Sequence, residues 1–219
     1  MLQSRTTFGA HWIAGSLLCA TLAGCSALPT PPQAPARYDL GQPPALTPST
    51  QLLAPIAITD IQAPLQAEGA TQLHYRLAYA NPHELHAYAQ ARWSLPPSQL
   101  VQQRLREHLS QGGRVVLSAE QGALAASIQG RQVPALRLAL EEFSHVFTAP
   151  EQSTGWVRIR VTLVDPAPQG DVLLAQRIFE ARISADASNA ASGAQALAAG
   201  VDQIGQQMAQ WLASSQPPQ

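Results

Sequence analysis

Histidine, carboxylate and thiol side chains are few in this chain, and their spacing decides which chemistry is open to it. His83-Glu84-Leu85-His86 has the residue types of a zinc site. A helical zinc-protease site places its histidines at i and i+4 on one face, with a glutamate between them as general base. Here the spacing is i, i+3; Asn81-Pro82-His83 reads as a turn and the residues that follow alternate like a strand. No metal site is expected there, and no cofactor anywhere. His108 falls on the apolar stripe of a helix and reads as a core or boundary histidine with a polar partner. All 13 basic residues are Arg, so a phosphate-binding loop ending in Gly-Lys is excluded. No Gly-x-Ser-x-Gly elbow singles out a nucleophilic serine. No catalytic residue is assigned, and an enzyme is not expected.

Charge and thiols narrow the field further. The 13 Arg are balanced by 14 Asp and Glu, which disfavours a nucleic-acid partner. Only 12% of the residues are charged, where an ordinary soluble domain has roughly 25%. Both cysteines, Cys19 and Cys25, precede residue 26. The folded body therefore has neither a disulfide nor a thiolate metal site.

Cys25 has a chemistry of its own. A mostly apolar stretch from Phe8 to Ala23 is too short for a comfortable span of about 20 residues and ends in small residues, as a cleaved signal does. Leu22-Ala23-Gly24-Cys25 resembles the bacterial lipobox. Small residues admit the peptidase, and the thiol is the soft nucleophile that takes up a diacylglycerol. Residues 1–24 are thus expected to be a lipoprotein signal peptide and Cys25 the lipidated first residue of the mature chain. Two or three acyl chains suffice for stable anchoring, since each buried CH₂ contributes about 0.8 kcal/mol. Residues 25–50 read as a tether. Seven of the 18 prolines lie there, and extended polyproline geometry over the twelve residues to Arg37 would hold a domain about 35 Å from a bilayer. Tyr38-Asp39-Leu40 is the one apolar patch in it and is expected to dock as a short edge segment.

The elements that follow are legible from period. Ile56, Ile58 and Ile61 suggest a strand between Pro55 and Pro64. Leu73 to Tyr79 and Leu85 to Trp93 alternate as two strands of a hairpin. Matching their apolar faces sets Arg76 opposite Tyr88 and His74 opposite Gln90 across a three-residue loop. The outer face would then gather His74, Arg76, His86, Tyr88, Gln90 and Arg92. Arg92 points away from Trp93; Trp93 is expected in the core and Arg92 on a carboxylate. Pro96-Pro97 opens a helix whose stripe is Leu100 or Val101, Leu105, His108 and Leu109, and Gly112-Gly113 stops it. Val115-Val116-Leu117 is a short strand. Leu136, Leu138 and Leu140 alternate, and the parity then shifts to Phe143 and Phe147, which a bulge at Glu141-Glu142 explains. Trp156 to Val164 alternates again, with Arg158 and Arg160 on its solvated face. A loop from Asp165 to Asp171 leads to a strand through Phe179, Ala181 and Ile183. Leu197, Val201, Ile204, Met208 and Trp211 form one helix face, and Gly193, Gly200 and Gly205 would let that helix approach a sheet. The expectation is a mixed α/β fold: a single mixed β-sheet with one helix from the N-terminal half and a C-terminal helix packed on it. The domain would span 51–213, and 214–219 would be a disordered tail.

These residues carry a family resemblance. The lipobox, the Pro-rich tether, Tyr38-x-Leu40, Tyr75-Arg76, Glu84-Leu85 and Arg92-Trp93-x-x-Pro96-Pro97 resemble the ABC-type transport auxiliary lipoprotein family. Phe143, Leu163-Val164-Asp165 and Phe179-Glu180 fit it as well, with a longer hairpin from Asp165 to Gly170. Trp93, Pro96 and Pro97 would be its structural motif. The resemblance implies an outer-membrane lipoprotein facing the periplasm. Its partners would be an Mce-family protein and an ABC permease and ATPase that together move lipid. Ser26, where inner-membrane lipoproteins often carry Asp, fits that address. The alternative is a carrier that shuttles phospholipid in its own apolar pocket. Arg76, Tyr88 and Arg92 are the candidate partner surface, and the same hairpin face is the expected contact of a homo-oligomer.

Overall fold

A computed structural model describes residues 34–43, 45, 53–65, 70–119, 127–128, 131–167 and 169–215. The signal segment, Cys25, most of the tether and residues 216–219 lie outside them. The strands are β1 (Ala36–Tyr38), β2 (Ile56–Thr59), β3 (Gln72–Leu77), β4 (His86–Trp93) and β5 (Val116–Ala119). They continue with β6 (Ser127–Ile128), β7 (Arg131–Gln132), β8 (Ala135–Ala149), β9 (Gln152–Asp165) and β10 (Val172–Ser184). Helix α1 is Pro97–Leu109 and α2 is Ala190–Ser215. The fold is α/β, with one mixed sheet of eight strands and the separate β6–β7 pair.

Strand β8 is the spine. One edge pairs antiparallel with β9, which pairs in turn with β10. The other edge pairs in parallel with β2 at its start and with β3 near its end. From there the sheet runs outward to β5 on one side, and through β4 to β1 on the other. The expected bulge is present: the register shifts between Leu140 and Glu142. Tyr38 docks as expected, with β1 parallel to β4 and Tyr38 level with Trp93.

Proline at the start of α1 loses no hydrogen bond, because the first-turn N–H groups have no intrahelical partner. Its stripe is buried as the period requires: Leu100, Val101, Leu105, His108 and Leu109. At the other end of the chain, α2 reaches Ser215, past the position where the apolar period lapses. The Ser214 hydroxyl donates to the Trp211 carbonyl at 2.8 Å and continues the last turn. That part of the expected tail is helix.

Both helices lie on one face of the sheet. A Cβ built on Gly155 would stand 2.6 Å from the α2 backbone, and one on Gly200 would stand 2.9 Å from Val157. Odd-numbered residues of β9 therefore face α2, and Trp156, Arg158 and Arg160 face away. Gly193 likewise lets α2 lie against the sheet, over His145. Gly205 does not: its near neighbour is His108 on α1, so it serves helix–helix approach. Between sheet and helices the core is filled by Trp93, Phe143, Ile159, Phe179, Leu197 and Met208, among others. Among the described residues no helix is long and apolar enough to cross a membrane.

Candidate partner-binding face

The β3–β4 hairpin departs from its expected register. Gln72 opposes Arg92 as the apolar match requires, but a shift follows, and His74 opposes Ala87 and Tyr75 opposes His86. The loop is longer than three residues, running from Ala78 to Leu85. It uses the Asn81 turn: Asn81 Oδ1 accepts from the His83 N–H at 3.1 Å. The physical reason is competition. Matching the apolar faces across a tight loop would leave Tyr75 and Tyr88 on opposite faces of the pair. The shift brings those rings together, 4.6 Å apart, and packs Tyr88 against the core.

The expected outer face is thereby divided. His86 stacks on Tyr75 at 5.0 Å, and the Tyr88 hydroxyl shares a 2.9 Å hydrogen bond with His145 Nδ1. These groups lie on the helix side, whereas Ala87, Ala89 and Gln90 are exposed. His86 Nε2 is 3.6 Å from the Glu84 carboxylate. Arg76 is on the opposite side, where its Nη2 donates to Glu142 Oε2 at 3.0 Å. Arg76 and Tyr88 therefore form no joint surface. Among the described residues Arg92 meets no carboxylate: Nη1 donates to the carbonyl of Tyr88 and, at 2.9 Å, to that of Ala91. Two backbone oxygens lie within reach of a side chain held close to its own strand. Trp93 is in the core, as expected, 5.2 Å from Phe143.

The face away from the helices carries an ordered set of charges. The bulge makes this arrangement, because it lets two consecutive residues, Glu141 and Glu142, both serve that face. Glu141 accepts from Arg158 Nε at 2.9 Å and from Arg160 Nε at 2.7 Å. Glu180 accepts from Arg158 Nη1 at 3.1 Å, Arg182 Nε at 2.9 Å and Trp156 Nε1 at 3.1 Å. The Arg182 guanidinium also sits 4.0 Å from the Trp156 ring centre. Partial burial pushes the Glu141 carboxyl up, but the hydrogen bonds and charges of Arg158 and Arg160 outweigh it and hold it low. The Arg182 hydrogen bond does the same for Glu180 against a smaller desolvation effect. Such pairs contribute little to stability where solvent reaches them. They do hold Arg and Trp in fixed positions, and both residue types are enriched where proteins meet.

Two functional-looking residues escaped the reading of the sequence. Arg104, buried among the apolar positions of α1, donates to the carbonyls of Leu40, of Gly41 at 2.7 Å and of Gln42 at 2.8 Å. Gly41, at φ +70°, turns the chain so that these oxygens converge. Asp202 of α2 meets Arg104 at 3.2 Å and His108 at 2.9 Å, which gives His108 its expected partner. The signal was a charged residue on the buried stripe, four positions before His108. His145 is the second, and it shares the apolar parity of Phe143 and Phe147.

His145 makes the fold sensitive to acid. Burial pushes its imidazole down to about 4 from the ordinary 6.5. Above pH 6.5 the ring is neutral in folded and unfolded chains, and it adds no pH dependence. Between 6.5 and 4 the unfolded chain takes up a proton that the folded chain refuses. Stability therefore falls with pH, by up to about 1.4 kcal/mol per unit. The urea midpoint of His145→Asn is expected to fall less steeply across that window than that of the parent chain. Equal slopes would show that His145 is not the group responsible.

Residues 38–209 match the family model described as ABC-type transport auxiliary lipoprotein component. No curated protein matches the chain. Among solved structures, the chain is similar to a Xanthomonas campestris protein of the DUF330 family, with TM-score 0.59 and 14% identity, covering 78% of this chain and 96% of that one. A second, titled only as an uncharacterized protein, has TM-score 0.60 and 15% identity, covering 82% and 99%. At these identities the likeness is one of fold.

Proposed function

The chain belongs to the ABC-type transport auxiliary lipoprotein component family, and on that premise we propose that it is a lipid-anchored docking component at the outer membrane. It would face the periplasm, tethered through acylated Cys25, and receive an Mce-family protein working with an ABC permease and ATPase in lipid transport. The family is one of auxiliary transport components, not of enzymes.

One observation carries the reading: residues 36–42, inside the expected tether of 25–50, are clamped into the domain. Strand β1 is hydrogen-bonded to β4, and Arg104 grips the three carbonyls that follow it. A load applied from Cys25 would pass into the sheet and both helices rather than peel off a loose terminus. A carrier that shuttles phospholipid needs room for acyl chains, whereas Trp93, Phe143, Leu197 and Met208 occupy the space between sheet and helices. That favours docking over carriage.

The test is Cys25→Ser. This variant is expected to accumulate as an unprocessed precursor that takes up no labelled palmitate, and the parent chain to be labelled and to fractionate with outer membranes. Normal processing and labelling of the variant would overturn the anchor. Self-association is part of the same proposal, now placed on the charged, helix-free face and not on the divided hairpin. Light scattering of residues 35–219 is expected to report more than one chain per particle. A monomer at high concentration would remove that part.

A further inference from the structure

Among the described residues, the longest exposed edge of the sheet has no occupant. Strand β10 pairs with β9 alone among the described residues, and it runs from Val172 to Ser184, whereas the other outer strands, β1 and β5, are short. Natural edge strands of this length are usually blunted by proline, charged side chains, a bulge or a covering segment, because their free N–H and C=O groups invite pairing. This strand has no proline, and its charges, Arg177, Glu180 and Arg182, all follow the register shift, which leaves Val172–Leu174 without one. It also gathers Val172, Leu173, Leu174 and Ile178, half of the large apolar side chains exposed among the described residues. Leu173 is 62% exposed. The register shift between Leu173 and Ala175 falls in this corner.

We propose that the free edge of β10 receives an extended strand from a partner protein, whose apolar side chains cover Val172, Leu173 and Leu174 and whose carboxylate meets Arg177. Charge complementarity supports that occupant. Among the described residues Arg177 meets no carboxylate; its guanidinium lies 5.1 Å from the Phe179 ring centre. The neighbouring Glu180 is already held by Arg158 and Arg182. A second copy of β10 does not supply the missing charge. In an antiparallel pair of identical strands, residues on one face meet, so their numbers share parity. Arg177 and Glu180 differ in parity and would lie on opposite faces. A bilayer does not suit the edge either, because hydrocarbon cannot satisfy unpaired backbone groups, and Gln176, Arg177, Glu180 and Arg182 are exposed along it. The described residues of the tether lie at the opposite edge. The tether enters at β1, and the order β1-β4-β3-β8-β9-β10 separates the two edges by about 24 Å at the usual strand spacing.

The experiment uses the full-length lipoprotein in its own host, with the photo-crosslinking residue p-benzoylphenylalanine at Leu173, at Gln176, or at Gln206 on the exposed side of α2. The β10 positions are expected to give adducts with one and the same protein, mapped to a single extended stretch containing Asp or Glu, and Gln206 none. Arg177→Glu is expected to lower the adduct yield from Leu173 about tenfold, as loss of an opposed charge pair does. The purified variant should keep the parent's melting curve, since Arg177 is exposed. Adducts with phospholipid alone, or with a second copy alone, would overturn the proposal. So would the absence of adducts, a helical contact stretch, or a yield indifferent to Arg177→Glu.

Discussion

Trp93→Ala is expected to cost about 3–5 kcal/mol of folding stability, the range for emptying an aromatic site in a packed core. The indole is 1% exposed, on the strand that joins the tether to the body of the sheet. It packs 5.2 Å from Phe143, the first aromatic after the β8 bulge, so both sides of the β3–β4 unit lean on it. Its Nε1 has no hydrogen-bond partner among the described residues, so its stabilising effect is packing rather than polar. Trp93→Phe should consequently keep most of the stability, losing volume but no bond. Guanidinium midpoints read by far-ultraviolet circular dichroism test both variants. A small domain has about 5–15 kcal/mol in all, so the alanine variant should be close to unfolding at physiological temperature. A loss below about 1 kcal/mol would mean that the core collapses around the site, and that the Arg-Trp-x-x-Pro-Pro motif is kept for something other than packing.

The second large effect is expected at Gly155→Val. A Cβ there would stand 2.6 Å from the carbonyl carbon of Ala196 and 2.6 Å from the nitrogen of Leu197, and 2.9 Å from the Ala196 side chain. Two of those contacts are helix backbone, which cannot rotate aside as a long side chain would. Helix α2 must therefore lift from β9, opening the contacts of Leu197 and Val201 with the sheet. Overpacking alone costs about 1–3 kcal/mol, and displacing a helix carries it to the top of that range or beyond. Gly170→Ala is the contrast. Nothing lies within 4 Å of its Cβ, and only its φ of +118° opposes a side chain. The expected cost there is about 1 kcal/mol. Proteolysis should cut α2 readily in Gly155→Val and not in Gly170→Ala. Similar midpoints for the two variants would show that α2 tolerates displacement.

Much of this molecule is written locally. The start of α1 at Pro97 and its stop before Gly112-Gly113 follow from what proline and glycine do to a backbone within one turn. The long strands β8 and β9 show in their alternation, and the bulge at Glu141-Glu142 shows as a change of parity, because a strand's period is two residues wherever it lies. The family resemblance also stands on short motifs, and the family match covers those from Tyr38 onward. What the sequence could not specify is which distant residue answers a given one. Arg76 finds Glu142 sixty-six positions away, and Tyr88 finds His145 fifty-seven away. Period assigns a side chain to a face of its own strand, but the hairpin's shift was decided by rings on β8 that only the assembled sheet supplies. Arg104 was visible as a misfit on an apolar stripe, yet its partners, the carbonyls of residues 40–42, carry no side-chain signal at all. The free β10 edge follows from the strand order, and the charged face exists because both helices settled on the same side of the sheet; for α2 that placement rests on close approach at Gly155, Gly193 and Gly200, a property of packing in three dimensions.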